Sequence, residues 1–288
     1  MIVPMVALLD DALKQRYAVG AFNVYNYETI LGVLRAAEEE RAPLIIAFGE
    51  RYLENMDFES VAAIAESLAR AFSTPIALHL DHCKSVEHIV QAIRAGFTSV
   101  MFDGSLLPFK ENVSMTREIV RIAHAVGVSV EAELGVIALG DHSNEEGAEQ
   151  IYTDPSQARE FVDGSGVDAL AVSIGTVHGL YKGEPKIDIA TLEEIRRAVN
   201  IPLVLHGGSG TPECVLSECI RNGICKINVN TEISTNVVDQ LRALLATGKE
   251  YHLSQLSLAT VGFVMQVARK YMRIFKGKGT ISKSTSAP

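Results

Sequence analysis

No two of the four cysteines, Cys83, Cys214, Cys219 and Cys225, form a C-x-x-C pair. That spacing fits a reduced, cytoplasmic enzyme better than a disulfide framework. Positive charge is also in short supply: the formal net charge is −9 and the pI about 5.4. Nucleic acids and anionic membranes are bound by clustered Lys and Arg, so neither is expected as a partner. The apolar stretch 256–268 is too short to span a bilayer and is broken by polar residues. The N-terminal "MIVPMVALLDDALKQ" carries Asp10 and Asp11 and has no basic n-region, so no secretory signal is read there. There is no tryptophan, but 48% hydrophobic and 21% charged residues in a 288-residue chain allow a large buried core.

What is present is an alternation carried around the whole chain. Short apolar, β-branched runs recur at 18–24, 43–48, 75–80, 99–104, 128–134, 169–175, 202–208 and 225–230. Segments of helical period separate them, such as "ETILGVLRAAEEERA" and "SVEHIVQAIRAG". Ser85, Asp154-Pro155 and Thr211-Pro212 read as helix starts, and Gly96, Gly127 and Gly223 as helix ends. Eight strands, each followed by a helix, predict a single-domain (β/α)8 TIM barrel over residues 1–276, with 277–288 a loose tail. A doubly wound dinucleotide fold is disfavoured, because no G-x-G-x-x-G follows the first strand.

In such a barrel the active site forms at the C-terminal strand ends, and the polar residues collect there. Asp81 and His82 follow the third run, Asp103 the fourth, and Glu133 ends the fifth. His178 follows the sixth, His206 ends the seventh, and Asn228 and Asn230 end the eighth. Neutral imidazoles of His82, His178 and His206 suit Zn²⁺ with one position left open for substrate. Glu133 and Asp103 can supply oxygen to a second cation position, or orient the imidazoles from behind. The other histidines, His79, His88, His124, His142 and His252, read as hydrogen-bonded structural residues. Asp81, next to His82 but alternating to the other side of the strand, is placed to exchange a proton with a substrate hydroxyl, or else to cap the helix that follows. "HGGSG" (206–210) and "NVNT" (228–231) form the phosphate-binding place of this fold: Gly207 and Gly208 admit backbone amides, Ser209 donates, and Thr231 starts a helix. Gly179 and Lys182 extend that cradle.

The segments "LDHCKS", "VMFDGS", "VEAELG", "YTDP", "VSIGTVHGLYKGEP", "IPLVLHGGSG" and "KINVNTE" resemble those of the class II, zinc-dependent ketose-bisphosphate aldolases, in order and over nearly the whole chain. The resemblance implies Zn²⁺ on His82, His178 and His206, with Glu133 and Asp103 at a second site for a divalent or monovalent cation. It implies a phosphorylated sugar substrate and a homodimer or homotetramer. It gives Asp81 the proton of the aldehyde-derived hydroxyl, with Asn228 beside it. Asn23 of "AFNV", Gly179, Lys182, Gly207, Gly208, Ser209, Asn228, Val229, Asn230 and Thr231 fall in the segments that hold substrate. The expected reaction is retro-aldol cleavage of fructose 1,6-bisphosphate to dihydroxyacetone phosphate and an aldehyde. Tagatose 1,6-bisphosphate and other phosphorylated ketoses or keto-acid sugars are alternatives. A Schiff-base mechanism is disfavoured, because Lys226 opens the last strand at the end away from the site and Lys182 lies in a loop. A zinc hydrolase and a non-catalytic subunit are the readings from other classes. Two positions depart from the family pattern. The loop "VIALGDHSNEEGAEQIY" replaces the usual acidic segment, offering Asp141, Glu145 and Glu146, of which Glu145 is the candidate for the triose-phosphate proton. Gly49 stands where a hydroxyl residue is usual.

Overall fold

A computed structural model describes residues 1–143 and 149–276. The chain closes the expected barrel. Its strands are β1 (Val19–Asn23), β2 (Leu44–Gly49), β3 (Ile76–Cys83), β4 (Ser99–Phe102), β5 (Ser129–Leu134), β7 (Ala169–Val172), β9 (Leu203–Leu205) and β10 (Ile224–Val229), paired in parallel in the order β1-β10-β9-β7-β5-β4-β3-β2. Every residue of these eight strands is buried, as expected where helices cover one face and the barrel interior the other. A two-stranded ribbon, β6 (Ala138–Leu139) with β8 (Val177–His178), lies outside the barrel; the sequence periodicity gave no sign of it.

The helices are α1 (Met5–Gln15), α2 (Tyr27–Glu40), α3 (Phe58–Ala69), α4 (Val86–Ala95), α5 (Phe109–His124), α6 (Pro155–Ser165), α7 (Ile189–Ala198), α8 (Glu213–Arg221), α9 (Thr231–Leu245) and α10 (Leu253–Phe275). Ser85 starts α4 by accepting the His88 N–H at 3.2 Å, and Gly96 ends it with φ 106°. Asp154 caps α6 with Pro155 in its first turn. At α8 the expectation needs correcting. Pro212 itself is the cap residue, and the Thr211 hydroxyl bonds the Gly207 carbonyl at 3.0 Å instead.

The apolar interior has two parts. The larger lies between strands and helices, and α10 closes it by packing on α2. The smaller fills the N-terminal end of the barrel, where Met5, Leu8 and Leu9 of α1 meet Ala21, Ala47, Ala77 and Ala171. Small inward side chains leave room for a plugging helix. No helix among the described residues is long and apolar enough to cross a membrane. The tail 277–288 lies outside the described residues.

Candidate active site

At the C-terminal mouth, β3 delivers two consecutive residues to one pocket. Neighbours on a regular strand point to opposite faces, so Asp81 and His82 were expected to diverge. Instead His82 adopts a left-handed conformation (φ 48°), and the pairing of β3 with β4 shifts between Leu80 and Cys83. Both side chains consequently line the same cavity. A non-glycine residue held at positive φ is strained, and such strain gathers at functional sites.

Asp81 is buried and held from two sides. Its Oδ2 accepts from Asn23 Nδ2 and its Oδ1 from Asn228 Nδ2, each at 3.0 Å. It caps no helix. Burial pushes its carboxyl up, but His82, Lys226, His206 and His79 together hold it well below the usual carboxylate range.

The three imidazoles meet. Ring centroids of His82 lie 4.6 Å from His206 and 4.9 Å from His178, and those of His178 and His206 are 5.8 Å apart. Among the described residues, one donor atom from each of His82, Glu133, His178 and His206 falls within 4.8 Å of all the others. Glu133 thus joins the histidine group, its Oε2 3.1 Å from His206 Nδ1. Asp103 stands behind, its Oδ2 2.9 Å from His82 Nδ1, which leaves Nε2 of that ring toward the centre. Burial presses the His178 imidazole well below its ordinary value, with His82 and His206 adding to the effect, so it is the neutral form a metal needs. Burial also raises Glu133, and Asp103 raises it further. His178 Nε2, His206 Nδ1 and Glu133 Oε2 are buried without a geometrically aligned hydrogen bond, the last two despite their 3.1 Å separation. Buried polar atoms are almost always satisfied, so three orphans facing one point fit a divalent cation, which would also keep Glu133 charged.

The anion side is built from backbone. Gly207 (φ 75°) would place a Cβ 2.2 Å from the Val177 carbonyl oxygen, and Gly179 (φ 108°) would place one 2.5 Å from that of Asp141. Only glycine allows such approach. With them Asn23, Ser209, Asn228, Asn230 and Thr231 line the pocket, joined by Ser143. The Ser209 hydroxyl accepts the Glu232 N–H at 3.1 Å, fastening the loop to the first turn of α9. Asn230 donates to the Tyr52 hydroxyl at 3.1 Å and accepts from Tyr25, two aromatic partners that no motif had indicated.

Three expected contacts are not brought to the pocket. The Lys182 side chain is 74% exposed and lies 3.4 Å from Asp141. The Gly208 N–H is spent on the Asn228 carbonyl, and the Val229 side chain belongs to the outer core. Glu145 and Glu146 lie outside the described residues. The structural reading of the remaining histidines stands for His79 on Ser99, His88 on Glu50, His124 on Asp168, and His252 as the cap of α10.

Beneath the mouth lies a layer that went unread in the sequence. Lys226 does not open the last strand at its far end; it is wholly buried inside the barrel, with Nζ 3.0 and 2.8 Å from the two oxygens of Glu131. Glu131 Oε1 also lies 2.9 Å from His206 Nε2. Burial pushes Glu131 up, but Lys226 and the His206 hydrogen bond bring it down to about 2. The available signal was spacing by two: Glu131 precedes Glu133, His79 precedes Asp81 and Lys226 precedes Asn228 on the same strand face.

A family model described as class-II fructose-bisphosphate aldolase matches residues 3–280. A fructose-bisphosphate aldolase of Geobacillus stearothermophilus is 46% identical over 250 residues, covering 85% of this chain and 86% of that one. A probable fructose-bisphosphate aldolase of Bacillus subtilis is 43% identical over 250 residues, 85% of this chain and 87% of its own. Among solved structures, the YdjI aldolase of Escherichia coli K12 superposes with a TM-score of 0.86 at 35% identity, covering 98% of this chain and 100% of its own.

Proposed function

Since the chain belongs to the class II fructose-bisphosphate aldolase family, we propose that it works with a zinc ion held by His82, His178 and His206, and that fructose 1,6-bisphosphate is the sugar it cleaves. Membership fixes the reaction class: the protein is a lyase of carbohydrate metabolism that cleaves a ketose bisphosphate in the retro-aldol sense. The observation that carries the zinc reading is the group of four donor atoms within 4.8 Å of one another, with its buried nitrogens lacking an aligned hydrogen bond. The names of the Geobacillus and Bacillus relatives carry the choice of fructose.

When bound, zinc supplies Lewis-acid polarisation of the ketose carbonyl. The chain supplies the rest. Asp81, fixed by Asn23 and Asn228, receives the C4 hydroxyl proton as the C3–C4 bond breaks. Gly179, Gly207, Ser209, Asn230 and Thr231 hold the phosphate of the dihydroxyacetone half, with amides at the start of α9 directed at the anion. Asp103 and Glu133 support the histidines. Glu145 is kept for returning a proton to C3. The chain works as a homo-oligomer, a reading supported by Val238, Leu245, Leu253 and Leu258, which are left exposed on α9 and α10. Four unpaired cysteines support a reducing, cytoplasmic setting.

Activity should disappear on chelation and return with zinc, while borohydride added with substrate should leave it intact. Inactivation by borohydride with retention after chelation would put a lysine in zinc's place. Assayed side by side, fructose 1,6-bisphosphate should give the higher kcat/KM. A preference for tagatose 1,6-bisphosphate would keep the chemistry and reverse the assignment at C4.

A further inference from the structure

One buried charge lies beneath the mouth and does not line the pocket. Lys226 is fully enclosed at mid-height in the barrel, and both of its short contacts are to Glu131. A lysine loses much side-chain entropy and hydration when it is buried, so its presence there calls for a cause. The cause lies one contact away. Glu131, also wholly buried, lies against His206 Nε2 at 2.9 Å, while the other ring nitrogen, Nδ1, faces the histidine centre, 3.1 Å from Glu133 Oε2 but out of hydrogen-bond alignment with it. An imidazole offers a lone pair on one nitrogen only when its proton sits on the other, and the partner of the second nitrogen decides which.

We infer that Lys226 and Glu131 form a positioning pair: the ammonium holds the carboxylate in place, and the carboxylate takes the Nε2–H of His206, so that Nδ1 is the nitrogen presented to the metal. The arrangement repeats, with opposite polarity of the ring, at His82, where Asp103 holds Nδ1. Without Lys226, Glu131 is a buried acid with no cation to hold it. Its carboxylate is then free to leave the His206 Nε2–H, and the ring loses the contact that fixes its orientation.

The inference rests on the zinc reading, and zinc affinity measured directly separates the two. Wild-type protein that binds no zinc would remove the zinc reading itself. If wild type binds, competition against a chromogenic chelator should show Lys226→Met weakened by 10- to 100-fold, the usual cost of losing support behind a metal ligand. The d–d spectrum of its Co²⁺ form should also shift. The double variant Lys226→Met/Glu131→Gln is neutral as a pair, and its amide oxygen still accepts from Nε2–H. It should recover affinity to within about threefold of wild type. Two results would overturn the pair: wild-type zinc affinity in folded Lys226→Met, or a folded double variant as weak as the single one. If Lys226→Met fails to fold, the double variant alone carries the test, and it must bind zinc.

Discussion

At the scale of the residue, the site turns on a few side chains whose neighbours dictate their state. Asp81 receives two amide N–H bonds and faces imidazoles and an ammonium, so it stays charged in a buried place. Asp81→Asn keeps the shape and removes the proton acceptor. It should lower kcat by roughly 10²- to 10⁴-fold, with zinc affinity within a few-fold of wild type and an unchanged circular dichroism spectrum. Activity within tenfold of wild type would take the proton away from Asp81. Asp81, His82, His178 and His206 were legible in the sequence because polar groups ending apolar runs are conspicuous. Glu131 and Lys226 were not. They sit one alternation deeper, and depth inside a barrel depends on register with neighbouring strands, which no single segment encodes. His82 was half legible: its type was read, but not the positive φ that turns it toward Asp81.

At the scale of the element, strands and helices were legible because period and caps agree with the fold at nearly every boundary. The ribbon of β6 and β8 was not, since two-residue strands carry no period. Nor was the clasp between α2 and α10, which depends on long-range charge. Glu40 closes α2 and accepts from Arg269 Nε and Arg273 Nε, each at 2.9 Å, while its side chain is only 10% exposed. Burial pushes Glu40 up, but Arg273 and Arg269 bring it from 4.5 down to about 2. A depressed acid stabilises the fold fully above its unfolded value and loses that contribution as pH falls through its folded value. Glu40→Gln should therefore cost about 1 kcal/mol near neutrality. Its gap from wild type should close as pH falls from about 4.5 toward about 2. Denaturant melts across that range test this, and a gap that stays constant would place the stabilisation in packing, not charge.

At the scale of the whole molecule, the barrel was legible from alternation alone, but its plug was not. The opening "MIVPMVALLDDALKQ" read only as a segment lacking a leader's basic region. Its role as α1 depends on alanines scattered over four strands, Ala21, Ala47, Ala77 and Ala171, whose smallness matters only once they face one another. That plug bears on how the fold answers to metal. Two apolar clusters, one outside the strands and one at the barrel's base, are complete without any ion. Lys226 already offsets part of the buried acidity beneath the mouth. The metal-free chain should therefore fold, and zinc should add to its stability through binding to the native state alone. With free zinc at about a thousand times Kd, that linkage is worth about 4 kcal/mol. In a barrel of this size each kcal/mol moves Tm by roughly 2–4 °C. Chelated protein should thus show cooperative unfolding on the order of 10 °C below the zinc-loaded form, with native far-UV signal beforehand. Equal melting temperatures would mean that the histidine centre holds no ion. Loss of cooperativity on chelation would mean that the unpartnered nitrogens at the mouth cannot be carried without one, and that the two apolar clusters do not suffice to hold the barrel closed.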